Sequence, residues 1–183
     1  MKKLTFLVNW GRKKEKAWSG TNYSLYKALQ RYYDIRDVNV RTPFIISVIF
    51  RILRIDWFSG GFYSDWFLKK KVKNVKGKVL QFGELRMDDD TTTTFVYQDL
   101  SVSYVKYMKH NLPDIFAVSG FQCAKAKVIE KRFALQNEYY KKCSGIFTMG
   151  HWLKDFLCAE GIPAEKIFVV FFGGGGIIVV LNL

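Results

Sequence analysis

Three short stretches carry residues able to do chemistry. The first is Ser19-Gly20-Thr21-Asn22, a small run bearing hydroxyls and an amide, which opens a helical pattern. Free backbone N–H groups and the helix dipole at such a start suit a phosphate or another anion, and the same residues serve equally as a plain N-cap. Neither GxGxxG nor GxxxxGK[ST] spacing accompanies them, so neither common phosphate loop is encoded. The second is Asp99, near the end of TFVYQDLS. A carboxylate at a strand end can act as a general base or bind sugar hydroxyls, and it can equally cap the helix that follows. The third is the turn Thr148-Met149-Gly150-His151, which offers N–H donors, a hydroxyl and an imidazole. His110 and His151 are the only histidines. They cannot fill a three-histidine zinc site, and no metal site is expected. No local signature of a serine or cysteine nucleophile is present.

A fourth feature is charge. Lys69, Lys70, Lys71, Lys73, Lys76 and Lys78 form a basic run just after an aromatic stretch, DWFSGGFYSDWF, and the apolar segment FIISVIFRILRI. The chain as a whole carries 29 Lys and Arg against 16 Asp and Glu, a net charge of +13. Such a surface favours anionic partners. Basic residues beside aromatic ones suit an anionic membrane surface; they also suit single-stranded nucleic acid, or simply form a solvated face. The acidic run Asp88-Asp89-Asp90 lies close by in sequence and argues against a uniform positive groove, which makes nucleic acid the weaker reading.

These residues need a scaffold. Leu4 to Trp10 reads as a buried strand, TNYSLYKALQRYY as a helix with Ser19 or Thr21 as its cap, and Ile35 to Val40 as a second strand. Strand, helix and strand within this span make a βαβ unit, the opening of a parallel α/β sheet. FIISVIFRILRI is then either a mostly buried helix or one lying against a membrane. VLQFGEL and TFVYQDLS read as further strands, MDDDTTTT as an exposed connection, SYVKYMKH as a helix or turn, and Ile129 to Lys142 as a helix. GIFTM is a short strand whose end places Thr148 and Met149 at a strand-to-helix turn. Trp152, Leu153, Phe156 and Leu157 form a helical stripe, with Gly161 at the C′ position and Pro163 enforcing the exit. The apolar run IFVVFF suits a strand covered on both faces.

A length of 183 residues and 49% hydrophobic content suit one domain with a real core. Cys123, Cys143 and Cys158 are widely spaced and odd in number, which fits incidental thiols in a reducing compartment better than a disulfide framework. The apolar part of MKKLTFLVNWGRKK is too short for a signal peptide. No stretch approaches the roughly 18 apolar residues that would span a membrane.

The tail carries a resemblance. GIFTMGHWLKDFLCAEGIPAEKIFVVFFGG is similar to the last part of the N-terminal domain of GT-B glycosyltransferases of the family 4, or group 1, type. The matching positions include Phe147, Thr148, Trp152, Leu157, Gly161, Pro163, Glu165, Lys166, Val169 and Gly173. FVYQDLS resembles the strand and loop that face the acceptor, and SGTNYSLYKAL stands where the first glycine-containing loop and helix lie. The resemblance implies a Rossmann-like three-layer α/β/α domain with a mainly parallel sheet over residues 1–172, the N-terminal half of a GT-B architecture. It implies a Gly-rich linker and truncated or aberrant tail over 173–183. Gly20, Thr21, Asn22, Asp99, Thr148 and His151 would line the cleft. The complete enzyme would transfer a sugar from a nucleotide sugar to an acceptor hydroxyl. The donor would be a substrate held mainly by a second domain, missing here or separately encoded, so this chain would bind no cofactor of its own and be inactive alone. The acceptor would be lipid-linked or anionic, and the location cytoplasmic, either free or at the inner face of a membrane. A non-catalytic partner module of a two-subunit transferase is the alternative, with a nucleic-acid-binding α/β domain behind it. Ser19-Gly20 replaces the paired glycines common in the first loop.

Overall fold

The computed structural model describes residues 1–11, 13–41, 43–53, 70–83, 93–119 and 125–170. Lys69, the aromatic stretch 56–67, Cys123, the acidic run 88–90 and the boundary at 173–176 with its tail lie outside the described residues.

The order of elements is β1 (Lys2–Val8), α1 (Thr21–Leu29), β2 (Tyr33–Asn39), α2 (Phe44–Ile52), β3 (Val79–Phe82), β4 (Thr94–Gln98), α3 (Val102–Asn111), α4 (Pro113–Val118), α5 (Ala126–Lys142), β5 (Gly145–Thr148), α6 (His151–Ala159) and β6 (Ile167–Val169). The strands form one six-stranded sheet in the order β2-β1-β3-β4-β5-β6, and every neighbouring pair is parallel. Five consecutive buried residues, Leu4 to Val8, make β1 a strand covered on both faces. The edge strand β2 is buried only at Tyr33.

The sheet is the middle of three layers. On one face Leu4, Phe6, Val8, Leu80, Phe82, Tyr97 and Phe147 pack with Leu25 and Leu29 of α1. On the other face Val96, Ile146 and Ile167 pack with Tyr139 and Tyr140 of α5 and Leu153 and Leu157 of α6. Leu7 and Val79 meet Val72 and Val75 on that second face. Helix α3 joins α5 through Val102 and Ile129, and the fully buried Gln136 accepts a hydrogen bond from the Val102 amide at 2.8 Å.

Two expected helix endings have clear physical causes. Gly161 has φ 84°; its amide donates to Cys158, and the Ile162 amide donates to Leu157 at 3.1 Å. That double bond is a Schellman ending, closed by the contact of Ile162 with Leu157. Lys166 secures the end of α5 as well, because its ammonium reaches back to the carbonyls of Lys141 and Cys143, at 2.5 and 3.2 Å. A cation on the last carbonyls of α5 satisfies acceptors that the helix leaves open.

Several expectations are corrected. The N-cap position of helix α1 is held by neither Ser19 nor Thr21. Its N-cap is Gly20 at φ 89°, with no side-chain capping bond, because the short 3-10 turn Lys14–Gly20 enters the helix through a left-handed residue. The stripe on α6 divides: Leu153 and Leu157 go into the core, while Trp152 and Phe156 meet Tyr104 of α3 at 4.9 and 5.5 Å. Strand β6 is not covered on both faces. It is the edge strand, and Phe168 is 47% exposed on the side away from α6. Of the two readings of α2, the mostly buried one does not hold: Phe44, Ile45, Val48, Ile49 and Ile52 stand in solvent.

Candidate functional site at the carboxyl edge of the sheet

In an open parallel sheet the strands' carboxyl ends form one rim, and ligands enter where neighbouring connections depart in opposite directions. Here that point lies between β1 and β3, since the chain leaves β1 toward β2 and then crosses back to β3. The rim is assembled from the residues after β1, the start of α1, Gly83 after β3, the segment after β4 and the turn after β5.

The loop after β1 is fastened down. The Trp10 indole N–H donates to Asp37 at 2.7 Å, and the Lys14 ammonium pairs with the same carboxylate. Lys14 also lies over the rings of Tyr26 at 3.9 Å and Trp10 at 4.7 Å. Partial burial lowers the Lys14 pKa, but the Asp37 bond and charge, with Tyr26, outweigh it, and the net shift is upward. Asn39 accepts from the amides of Trp10 and Arg41, and the Arg41 guanidinium donates to the Gly11 carbonyl. This clamp joins the ends of β1 and β2. Sequence reasoning missed it, although a buried Trp needs a partner for its N–H, and Asp37 was a charged residue in a strand pattern.

The clamp delivers the chain to α1. Gly20 is left-handed, and a Cβ there would stand 3.5 Å from the Glu15 carbonyl. Thr21 and Asn22 are the first two helical residues, where N–H groups have no intrahelical acceptor. Asn22 is completely buried, and neither its amide nitrogen nor its oxygen has a hydrogen-bond partner. Such a group costs about 1–3 kcal/mol while unpaired. Among the described residues, Asn22 differs from the other buried side-chain amides in that both its donor and its acceptor lack a partner.

At the end of β4, Tyr97 is buried and packs on Phe82 at 4.7 Å. The Gln98 amide donates to the Leu100 carbonyl, while its oxygen is buried without a partner. Asp99 follows, half-buried. It does not cap α3: the Ser101 hydroxyl does, accepting from the Tyr104 amide at 3.1 Å. Burial pushes the Asp99 carboxyl above its ordinary pKa. Burial first, and then the Asp99 charge, push the Tyr97 phenol upward.

A carboxyl whose pKa is higher folded than unfolded prefers the folded state when protonated. Its stabilising contribution is therefore complete below the unfolded pKa of about 4 and is lost as pH rises through the folded value. Asp99→Asn is expected to raise the urea midpoint at pH 7, and the gain should shrink steadily toward pH 4. A gain that does not vary with pH would contradict a destabilising charge at Asp99.

The remaining sequence candidates lie as follows. Thr148 is fully buried, its hydroxyl donates to the Gly150 carbonyl at 3.3 Å, and its carbonyl accepts from Val170. His151 is exposed at the first position of α6. Both belong to the rim, but the Thr148 hydroxyl is engaged within its own turn. The lysines are spread out. Lys71 donates to the Asn39 carbonyl at the end of β2, whereas Lys78, through its carbonyl, holds Thr5 next to the start of β3. Lys70, just before Lys71, and Lys73 and Lys76, between Lys71 and Lys78, are exposed. His110 is exposed in the last turn of α3, and burial pushes the Cys143 thiol up to about 11. Among the described residues, no three His, Cys, Asp or Glu side chains gather into a group that could hold a metal.

The order of strands, the three layers and the rim define a Rossmann-like α/β/α domain. No protein-family model matches the chain, and no curated protein matches it.

Proposed function

We propose that this chain is the acceptor-side domain of a glycosyltransferase that moves a sugar from a nucleotide sugar to an acceptor hydroxyl. It works with a donor-binding domain, in the same polypeptide or a separate subunit. The observation that carries the reading is Asn22: a wholly buried, unpartnered amide at the start of α1, on the rim where a parallel sheet takes its ligands. Both hydrogen-bonding senses of an amide suit a sugar or a phosphate ester, which offers donors and acceptors together. The likeness of SGTNYSLYKAL and of GIFTMGHWLKDFL to transferase sequences supports a sugar over other ligands.

In that reaction the bond from the anomeric carbon to the diphosphate breaks, and a bond from the same carbon to the acceptor oxygen forms. The acceptor hydroxyl proton passes to the departing diphosphate oxygen, and the nucleoside diphosphate leaves with it. The α1 N–H groups and Asn22 support ligand oxygens on this side of the cleft. Asp99 is the group suited to hydrogen-bonding the acceptor hydroxyl. Lys166 and Gly161, although part of the likeness, serve the fold.

Two measurements test this. With a panel of uridine and guanosine diphosphate sugars, the chain alone should give no turnover, and appreciable transfer would overturn the requirement for a second domain. In a two-dimensional NMR titration with the same sugars and with simple glycosides, the Asn22 side-chain amide resonances should shift. An Asn22 amide indifferent to every sugar and diphosphate would overturn the site.

A further inference from the structure

Helix α2 has an unusual surface. Phe44, Ile45, Val48, Ile49 and Ile52, with Leu53 just beyond the helix end, recur at i, i+1, i+4, i+5, i+8 and i+9. That spacing lines one side of a helix. In a soluble protein this stripe normally packs on the core. Here all six are exposed, from 38% at Val48 to 73% at Ile52. Contiguous apolar surface of this kind marks an interaction site.

The charges around the start of α2 indicate what it meets. The helix begins a few residues after β2, at the same rim as the candidate site, and Arg41 is tied there to the Gly11 carbonyl. The Lys71 ammonium bonds the Asn39 carbonyl, which holds the exposed side of the segment bearing Lys70 and Lys71 against the end of β2. Lys13 and Lys16 are exposed in the loop that follows Gly11, with Glu15 as the exposed acid beside them. Asp37, an acid in β2 close to that loop, is paired with Lys14. Cations thus gather at the end of β2, a few residues before the start of α2, in a chain of net charge +13. A protein partner able to cover the stripe would need an apolar groove with an acidic margin. A membrane of anionic lipids supplies both in one surface: acyl chains for the stripe and headgroups for the cations.

We propose that α2 lies in the plane of an anionic membrane, with Phe44, Ile45, Val48, Ile49, Ile52 and Leu53 inserted among the lipids and Arg41, Lys70, Lys71 and Lys13 at the headgroups. Among the described residues no helix is long and apolar enough to cross a membrane, and α2 with its nine residues would lie in the surface. The helix is about 13 Å long at about 1.5 Å per residue, which matches an in-plane anchor of modest, charge-dependent affinity. This inference does not rest on the transfer reaction. If both hold, the rim of the sheet faces the membrane side of the molecule.

The test is flotation of the full chain with vesicles of phosphatidylcholine alone and of phosphatidylcholine mixed with phosphatidylglycerol. Wild type should float with the anionic vesicles and much less with the neutral ones. Ile45→Glu with Ile49→Glu should lower anionic binding at least about tenfold, since two anchoring side chains are replaced by charge. Lys13→Ala with Lys70→Ala should lower it about tenfold and reduce its salt sensitivity. Both pairs change exposed residues, and unchanged circular dichroism and melting will establish that the variants are folded. No binding by wild type, or equal binding by the Ile45/Ile49 variant, overturns the proposal. So does a dimer that this variant splits while vesicle binding is absent, for then a second copy covers the stripe.

Discussion

Replacing Phe6 with alanine is expected to remove about 3–5 kcal/mol of folding stability. Phe6 is fully buried on β1, and its ring meets Trp10 at 5.8 Å, Tyr26 at 5.6 Å and Phe82 at 5.4 Å. Trp10 and Tyr26 are themselves edge-to-face at 5.7 Å. One ring therefore joins β1, α1 and β3 and backs the clamp that delivers Gly20 to the rim. Alanine loses the transfer energy of the ring and leaves a cavity in a closely packed layer. Urea unfolding reads the change as a lower midpoint with the slope preserved. Phe6→Leu keeps most of the volume and should cost about 1–2 kcal/mol. A loss below about 1 kcal/mol for alanine would mean that this cluster does not hold α1 to the sheet.

Asn22→Leu is expected to act in the opposite direction. Both polar atoms of Asn22 are buried without a partner, so an apolar side chain of similar size removes an uncompensated desolvation penalty. The ligand-free protein should gain about 1–2 kcal/mol. The same change removes the only side chain at this helix start that has buried, unengaged hydrogen-bonding capacity among the described residues. Titration calorimetry with the sugar that shifts the Asn22 resonances should show at least about a tenfold weaker response. Stability rising while binding falls is the signature of a residue kept for its ligand. If stability falls instead, Asn22 is a structural residue. If stability rises and binding is unchanged, the ligand lies elsewhere on the rim.

The parallel α/β character was legible in the sequence because each element buries a continuous or regular apolar pattern. Leu4 to Val8 and Ile146-Phe147 read as strands of a covered sheet, and Phe133 and Tyr140 bracket the apolar side of α5. Gly161 was readable as a helix stop because a Schellman ending needs a left-handed residue there. Gly20 was harder. Ser19 and Thr21 are better capping residues by type, and only the observed φ of 89° reveals that the backbone demand outranks the side-chain one. Asp99 was likewise open between capping and chemistry, and the Ser101 hydroxyl, which holds the cap of α3, removes only the capping reading.

Residue type and spacing by themselves determined the elements, the α/β class and a short list of groups near strand ends, since those depend on interactions within about ten residues. The pairing of Trp10, Lys14 and Asp37 spans more than 20 positions and has no local pattern. Which face of α2 would be covered was also undecidable locally: an apolar helix reads the same whether a core or a lipid surface takes its stripe. Only the tertiary structure decided these. It left the outer side of α2 in solvent and buried Asn22 with no hydrogen-bond partner from the chain itself, because burial and hydrogen bonding are set by what the folded chain brings alongside a residue.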